Sequence, residues 1–493
     1  MSERLTFTNS RSQSVPRNGA KADGIPVPLF APLPPETRRI REHGDWAFTA
    51  LLVFTALLYL RPQDAIPPLA IVPLAEFAAI TGLIAMAFGR LRHGLAITRM
   101  TPELLGVVAL GGIILATAPF SVWRGGALTT FTDLYAKVLL IFLLMVNTLT
   151  SPDRLRRFTW VVVLATFYVG FRAVFDYLRG FNLVENGRIT GAVGGMFQNP
   201  NDLALNMVSM LPLAVLLALV SRRLTSRLIA GAAAFLMIVT TVMSQSRSGF
   251  LGLAVMLVIL AVQVGRRRPK IMLAGIVALF LAMPLVPATY WSRMSSITDA
   301  SLDPTGSREA RRIILGEAWQ TFLNRPFTGV GAGMFQAYNP EGRQVPWKEA
   351  HNVVLQVASE LGIFGTAVFL FLVSRAAIGA RQAKRLLRLA TPGRGKRRSA
   401  AAASAKSPAV VTPEEAALLE AHGTTMTAAV AGWFFSALFA SVAYHWTFYY
   451  LLALAIAPRE ILLDRLAGRS VPHSPVVRRS KVTSLPVPVE ARP

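Results

Sequence analysis

The sequence predicts an all-α polytopic membrane protein with about twelve transmembrane helices and one long external loop that contains short interfacial helices. Hydrophobic residues make up 53% of the 493 residues and charged residues only 16%, whereas soluble domains have roughly 25% charged residues. The mean hydropathy is +0.47. Apolar runs recur at the length that a bilayer requires, and basic residues cluster between them. These observations exclude an ordinary soluble domain.

Twelve apolar runs are candidate spans, because a helix needs about 20 residues to cross the hydrocarbon core. The first, seventh and eighth runs are short, so we expect tilt or local bilayer thinning to help them. In chain order the runs lie near 46–60, 66–88, 103–120, 134–150, 158–178, 201–220, 228–244, 249–264, 271–287, 351–374, 424–443 and 446–463.

The distribution of Lys and Arg orients these spans, because cytoplasmic connections carry the excess of basic residues. With the N-terminus placed in the cytoplasm, the connections on that side hold 37 basic residues and those on the opposite side hold 12. Seven of the 12 lie in the long external loop 288–350, and long loops cross the membrane largely regardless of charge. Both termini are therefore predicted to be cytoplasmic.

The chain is expected to form one transmembrane helical domain over residues 46–463. Residues 1–45 and 464–493 have the composition of disordered cytoplasmic tails. The first of these segments does not read as a cleavable signal peptide. A basic cytoplasmic loop is predicted at 375–423, and its segment 391–417 also has the composition of a disordered region.

Composition argues against several function classes. The formal charge of +25 is explained by the orientation of helices and by contact with anionic lipid, so no nucleic-acid partner is predicted. The chain has no cysteine, which excludes disulfides, thiolate metal sites and iron–sulfur clusters. Acidic residues in the external loops do not form a DxD-like pair, so neither a metal site nor a cofactor is predicted.

The first candidate site segment is GRITGAVGGMFQNPND at residues 187–202. Its glycines would let the backbone approach a ligand, and Arg188 would supply positive charge beside it. Asn199 and Asn201 precede an apolar run. They are candidates either for ligand contacts or for ordinary helix capping, with Pro200 in the first turn.

Arginines mark the next two segments. Arg247 lies in the tight external turn SQSRSGF, where it would either contact lipid headgroups or bind a phosphate through its forked guanidinium. Residues 303–325 have the apolar spacing of a helix that lies on the membrane face. The first turns of that helix carry three basic residues that would bind an anion or meet headgroups, namely Arg308, Arg311 and Arg312.

The fourth segment, AHNVVLQVASELGIFGT, begins the tenth predicted span. Asn352, Gln356 and Glu360 recur every four residues, so they form one polar stripe along a membrane helix. Such a stripe should face a cavity or the interior of the bundle. His351 stands at the outer end of the stripe, where it would act as a cap or as a residue that takes a proton.

Together these segments resemble the O-antigen ligase family of bacterial inner-membrane glycosyltransferases. His351 and Asn352, followed after nine residues by Gly362-Ile-Phe-Gly-Thr, resemble the His-Asn-x9-Gly-x-x-Gly-Thr signature of that family. Three further motifs are similar to family motifs: the Ser-x-Ser-Arg turn at Arg247, the Gly-Ser-Arg at Arg308, and the Arg-x-x-Gly…Asn-Pro-Asn stretch from Arg188 to Asn201. The resemblance covers residues 185–375 at the level of motifs.

The resemblance implies a metal-independent, inverting transfer of a polysaccharide from undecaprenyl pyrophosphate to lipid A–core or a related acceptor. The reaction would take place at the periplasmic face of the inner membrane, which makes the long external loop periplasmic. Arg247 and Arg308 would grip the pyrophosphate, and His351 would act as base on the acceptor hydroxyl. Substrate binding is expected of the remaining candidates, Arg188, Asn199, Asn201, Arg311, Arg312 and Asn352.

Four alternatives stay open at this point. An O-antigen or exopolysaccharide polymerase would use the same donor with a second lipid-linked glycan, and a protein O-oligosaccharyltransferase would glycosylate Ser or Thr of a pilin-like protein. A transporter would be consistent with the charges inside spans, namely Glu76, Lys137, Arg172 and Glu360. A metal-dependent glycosyltransferase would require paired acids in the first external loop, which offers Asp64 alone.

Overall fold

Helices dominate the computed structural model, which describes residues 46–184, 187–191, 195–266, 268–286, 288–295, 307–345, 347–390 and 411–467. The predicted tail 1–45, residues 468–493 of the predicted tail 464–493, and residues 391–410 of the predicted basic loop 375–423 lie outside these residues. A short antiparallel pair is also present, β1 (Leu183–Val184) and β2 (Arg188–Ile189), with Val184 opposite Arg188. The helices are α1 (Trp46–Leu60), α2 (Pro62–Ala65), α3 (Leu74–Arg92), α4 (Pro102–Thr117), α5 (Arg124–Thr129), α6 (Ala136–Thr148), α7 (Pro152–Leu178), α8 (Pro200–Val220), α9 (Leu224–Met243), α10 (Arg247–Gly265), α11 (Pro269–Ala282), α12 (Ala288–Ser295), α13 (Ser307–Asn324), α14 (Val353–Ala390), α15 (Pro413–Ala437) and α16 (Trp446–Leu466).

Within the described ranges, nine helical segments are long and apolar enough to cross a membrane. They are Leu74–Arg92, Pro102–Phe120, Arg124–Thr148, Pro152–Leu178, Pro200–Val220, Leu224–Met243, Arg247–Gly265, Val353–Ala390 and Trp446–Leu466. The other three predicted spans correspond to α1 and α11, which have 15 and 14 residues, and to α15, which begins with an acidic first turn. The class of an all-α polytopic membrane protein is confirmed, and the number twelve stays a prediction.

Helix α8 lies at the centre of the bundle and is buried along most of its length. It packs against α9, α10 and α15, while α14 packs against α4, α15 and α16. The helix faces that pack against each other carry apolar or small residues, so one continuous hydrophobic core runs through the bundle. The polar residues at the two ends of these central helices are therefore brought together.

Helical structure extends further into the predicted basic loop than expected. Helix α14 continues to Ala390 because small residues such as Ala376 and Ala383 keep one of its faces buried. Helix α15 begins at Pro413 with a capping box, in which the Thr412 hydroxyl and the Glu415 carboxylate accept from each other's backbone N–H. The disorder predicted for residues 413–417 is therefore wrong, and residues 464–466 of the predicted tail are helical too.

Residues predicted to be cytoplasmic lie together at one end of the bundle, which we call the ion-pair end. The fully buried carboxylate of Glu103 accepts from both Nη atoms of Arg459 at 2.8 Å and from Nε of Arg375 at 2.7 Å. Nearby, Arg99 pairs with Asp464 at 2.7 Å. Buried charges are tolerated only when they are paired, so these contacts account for charged residues in the apolar helices α4, α14 and α16.

Helix α14 is broken at Gly362, whose φ is +66°. The chain after α13 packs against this break, and its amides bind the carbonyls that the break exposes. Val330 N–H donates to Ser359 O and Gly331 N–H to Glu360 O, each at 2.9 Å, while Ile363 N–H donates to Pro326 O at 2.7 Å. The break thus fixes the segment that follows α13 against the first two turns of α14.

Replacing Gly362 with alanine should destabilise the protein. An added Cβ would lie 2.5 Å from Pro326 O, and a positive φ is unfavourable for a residue with a side chain, so the expected cost is about 1–3 kcal/mol. Thermal unfolding in detergent should show a Tm lower by several degrees. Gly112→Ala is the matched control, because its Cβ would meet no atom within 4 Å. Equal Tm values for the two variants would contradict the assigned packing.

Candidate functional site

The four segments singled out in the sequence lie together at the end of the bundle opposite the ion-pair end. We call it the site end. Arg188 of the first segment contacts the turn that forms the second. The third and fourth segments meet where the positive charge of Arg311 acts on the imidazole of His351. Asp202 of the first segment lies close enough to Glu349, the residue just before the fourth segment, for the two carboxyl groups to interact electrostatically.

The first two segments form a hydrogen-bonded cluster around Asn201. Arg188 is 7% exposed, and its guanidinium donates to Ser244 O and to Asn201 Oδ1, each at 3.0 Å. The Ser246 hydroxyl donates to the same Oδ1 at 2.9 Å. Because Arg188 is buried and used in these contacts, it positions the two segments against each other, and the geometry favours this role over direct ligand contact.

Asn199 and Arg247 both stand at helix N-termini. Asn199 accepts from Asn201 N–H at 2.9 Å and caps α8, which is the capping arrangement that the sequence left open. Arg247 is the first residue of α10, and Ser246 caps that helix by accepting from Gly249 N–H at 3.2 Å. The half-buried Arg247 side chain therefore combines its own charge with the positive end of a helix dipole.

His351 is held in a strained backbone conformation just before α14. Its φ is +49°, which is uncommon for a residue other than glycine and requires support from its surroundings. The backbone N–H of His351 donates to the Ser441 hydroxyl at 3.0 Å. The next residue, Asn352, accepts from the N–H groups of Val354 and Leu355 at 3.0 Å and donates to Leu438 O at 3.1 Å.

Burial, together with the positive charges of Arg311 and Lys348, lowers the pKa of His351 to about 4. Both causes act on the protonated form, since burial removes its hydration and the neighbouring cations repel it. The imidazole is therefore neutral at pH 7 in the free protein. A neutral imidazole is the form that can accept a proton.

Helix α13 carries the predicted basic face towards His351. Its amphipathic character is confirmed, because Ile314 and Ala318 are 2% and 0% exposed. Of the three candidate arginines, Arg311 is half-buried and Arg312 is exposed. Arg308 lies in the first turn of the helix, and its side chain lies outside the described part of the structure.

Arg343, which the sequence analysis did not single out, ties α13 to the segment that leads to His351. Its Nε lies 3.4 Å from the Glu317 carboxylate on α13. Its Nη atoms donate to Phe335 O at 2.7 Å and to Lys348 O at 3.1 Å. A charged side chain that is 2% exposed is stable only because it is paired in this way. The contact positions His351 relative to the arginines of α13.

The polar stripe on α14 faces the bundle interior, as the sequence predicted. Gln356 Oε1 accepts from Ala443 N–H at 3.1 Å. Glu360 is 4% exposed, and its carboxylate accepts from the Tyr444 hydroxyl at 2.8 Å and from Gly333 N–H at 2.9 Å. The stripe therefore joins α14 both to the connection between α15 and α16 and to the segment after α13.

Several residues of the site end carried little signal in the sequence. Ser441, Tyr444 and Arg343 lie in connections between helices, where periodicity gives no information and a single polar residue is ordinary. Glu349 stands two residues before His351 but has no acidic neighbour in the sequence. In the ranges that the structure describes, no group of three or more His, Asp or Glu side chains could hold a metal ion.

Charges that would be consistent with a transporter are engaged by local partners. Lys137 pairs with Glu76 at 3.0 Å, and Arg172 lies 3.8 Å from Asp176 one turn along α7. Glu360 is bound by Tyr444 as described above. These contacts lie in different parts of the bundle, so they do not trace one continuous polar path.

The fold and the site end define a helical membrane protein with arginines and a neutral histidine gathered at one end. Residues 232–370 match the family model described as O-antigen ligase, and this match confirms the family assignment that the motifs predicted. It extends from α9 to the first half of α14, so it includes Arg247, helix α13 and His351. No curated protein matches the chain. The match places an O-antigen ligase-like domain in residues 232–370 of this membrane protein.

Proposed function

We propose that the chain transfers a polysaccharide from undecaprenyl pyrophosphate to an acceptor hydroxyl at the periplasmic face of the bacterial inner membrane. The observation that carries this proposal is the convergence of the Arg247 turn, the basic face of α13 and neutral His351 at one end of the bundle. A pyrophosphate leaving group needs fixed positive charge, and arginine remains protonated in any environment. An acceptor hydroxyl needs a base that is unprotonated at neutral pH.

Each of these residues of the site end would have a different role in the reaction. His351 takes the proton of the acceptor hydroxyl, and the hydroxyl oxygen attacks the anomeric carbon of the donor glycan. The bond from that carbon to the pyrophosphate oxygen breaks, and its electron pair leaves with the pyrophosphate. Arg247 and Arg308 stabilise the charge that develops there. Attack from the face opposite the leaving group inverts the anomeric configuration.

The proposed function has three versions, which differ in the acceptor that receives the sugar. Purified protein should be incubated with an undecaprenyl-pyrophosphate glycan and, in separate reactions, with lipid A–core, a second lipid-linked glycan or a pilin. We expect lipid A–core to gain sugar, as in a ligase. Sugar on the second lipid-linked glycan would indicate a polymerase, and sugar on the pilin a protein O-oligosaccharyltransferase. If none of the three acceptors gains sugar, the proposed transfer is wrong.

Transfer should proceed in excess EDTA, because fixed arginines can neutralise the departing pyrophosphate without a metal ion. The rate with EDTA is to be compared with the rate in added magnesium or manganese, and no difference is expected. Loss of transfer that magnesium restores would contradict the arginine mechanism. Asp202 and Glu349 would then be mutated first, because Asp64 is already paired with Arg61 at 2.8 Å.

A further inference from the structure

A cavity of about 300 Å³ opens at the site end. This volume is at the lower limit of small-molecule sites, which suits a ligand of one or two sugar units. Ser441, whose hydroxyl accepts from His351 N–H, is part of the cavity wall. Further polar and aromatic side chains in the wall include those of Trp123, Gln336, Glu349, Gln356 and Glu360. We call this space the polar cavity.

The polar cavity has acidic side chains where the other segments of the site end have arginines. Two carboxylates, Glu349 and Glu360, lie in its wall, and neither lysine nor arginine is among the described residues that line it. Acidic side chains offer no positive charge to a pyrophosphate, which is itself negative at every relevant pH, and they repel it when they are ionised. The cavity is therefore unsuited to the reacting end of the donor. It is suited to a neutral molecule with many hydroxyl groups, because hydroxyls donate to carboxylate and amide oxygens.

Some polar groups of the cavity wall are held by hydrogen bonds within the protein, whereas others can bind a ligand. Glu360 is fixed by Tyr444 and Gly333, and the Gln356 carbonyl oxygen is fixed by Ala443 N–H. Among the described residues no partner binds the Gln356 amide nitrogen, which can donate to a ligand. Trp123 is 62% exposed, so the face of its ring can lie against the apolar face of a sugar.

We propose that the polar cavity binds the sugar unit of the acceptor that carries the attacking hydroxyl, and that Trp123, Gln336 and Glu349 select it. This inference rests on the proposed glycan transfer, because it assigns the second substrate of that reaction. The two substrates then occupy separate places at the site end, the donor pyrophosphate at the arginines and the acceptor sugar in the cavity. His351 is bound through its backbone N–H to Ser441 of the cavity wall, so the acceptor hydroxyl would approach the imidazole from the cavity.

The absence of cysteine from the chain allows a direct test by thiol labelling. Gln336→Cys places one thiol at an exposed position in the cavity wall. Gln320→Cys is the matched control, because Gln320 is an exposed glutamine on α13 that does not line the cavity. Purified lipid A–core and the second lipid-linked glycan serve as probes. The acceptor that gains sugar should slow maleimide labelling of Gln336→Cys severalfold and leave labelling of Gln320→Cys unchanged.

Transfer by the labelled proteins gives the second readout. A bulky maleimide on Gln336→Cys should abolish transfer while photo-crosslinking to the undecaprenyl-pyrophosphate donor persists, and labelled Gln320→Cys should remain active. Trp123→Ala should raise the acceptor KM on the order of tenfold and leave the donor KM unchanged. Suppose that transfer occurs, but that the acceptor does not slow labelling of Gln336→Cys and labelling does not abolish transfer. The cavity assignment is then wrong and the proposed function stands. If the unmodified protein transfers sugar to none of the acceptors, the proposed function fails and the cavity assignment fails with it.

Discussion

Transfer by His351→Ala should fall by about 10²–10⁴-fold, the usual cost of losing a general base. Alanine removes the only group at this position that can take the proton of the acceptor hydroxyl. His351→Asn is the second variant, because asparagine tolerates the positive φ of this residue and lacks a basic nitrogen. Both variants should insert into the membrane and bind donor, so the loss should appear in kcat rather than in the donor KM.

The pH dependence of the wild-type enzyme tests the same assignment. The pKa of His351 is lowered to about 4, so the free enzyme has a neutral imidazole above that pH and loses it as pH falls through about 4. The acid limb of kcat/KM reports the free enzyme and should lie near this value. A bound pyrophosphate favours the protonated form, so the acid limb of kcat should lie at higher pH. The pH profiles of His351→Asn should show neither of these two acid limbs.

His93→Ala is the control for these variants, because His93 follows α3 at the opposite end of the bundle. Its transfer rate should equal that of the wild type. Near wild-type transfer by His351→Ala in a membrane assay would remove His351 as the base. A loss in His351→Ala that His351→Asn fully restores would indicate that the residue acts by packing, since asparagine cannot accept the proton.

Arg247→Lys and Arg308→Lys should each reduce kcat on the order of 10²-fold or more, although the charge is retained. Arginine binds two phosphate oxygens through its planar fork, whereas lysine offers a single point charge. Removal of one fixed donor from a developing anion typically costs about 10²–10³ in kcat. Initial rates with saturating acceptor and varied donor would separate this loss from weaker donor binding.

Arg227→Lys is the matched control for the arginine variants. Arg227 is exposed at the start of α9, at the other end of the helix that leads into the Arg247 turn. An arginine that meets only lipid headgroups or water should tolerate lysine, so its activity should be unchanged. Full activity of Arg247→Lys would indicate that this side chain contacts lipid headgroups, and it would contradict the proposed role of Arg247 at the pyrophosphate. The same measurement tests Arg308, whose role rests on its sequence motif.

The helical membrane architecture could be predicted because it depends on local properties of the chain. A helix in lipid must satisfy its own backbone hydrogen bonds, so each span is a continuous apolar run that can be recognised without knowledge of its neighbours. Capping signals are equally local, and Asn199 caps α8 where the sequence placed a helix start. The polar stripe on α14 could be predicted for the same reason, since four-residue spacing places Gln356 and Glu360 on one face.

Long-range contacts were decided by the tertiary structure alone. Arg188 reads in the sequence as a ligand-binding residue, but its contacts with Ser244 and Asn201 give it a positioning role. The continuation of α14 to Ala390 also depends on packing, because its charged sequence does not resemble a span.

The sequence by itself determined the class of protein, the motifs and the identity of His351 and Arg247 as candidates. Only the tertiary structure decided that His351 is neutral, that Arg343 fixes its position and that a polar cavity lies at the site end. The physical reason is the range of the interactions. Hydropathy, periodicity and capping act within a few residues of the chain, whereas burial and electrostatic potential at His351 come from helices α13, α14 and α15, which only folding brings together.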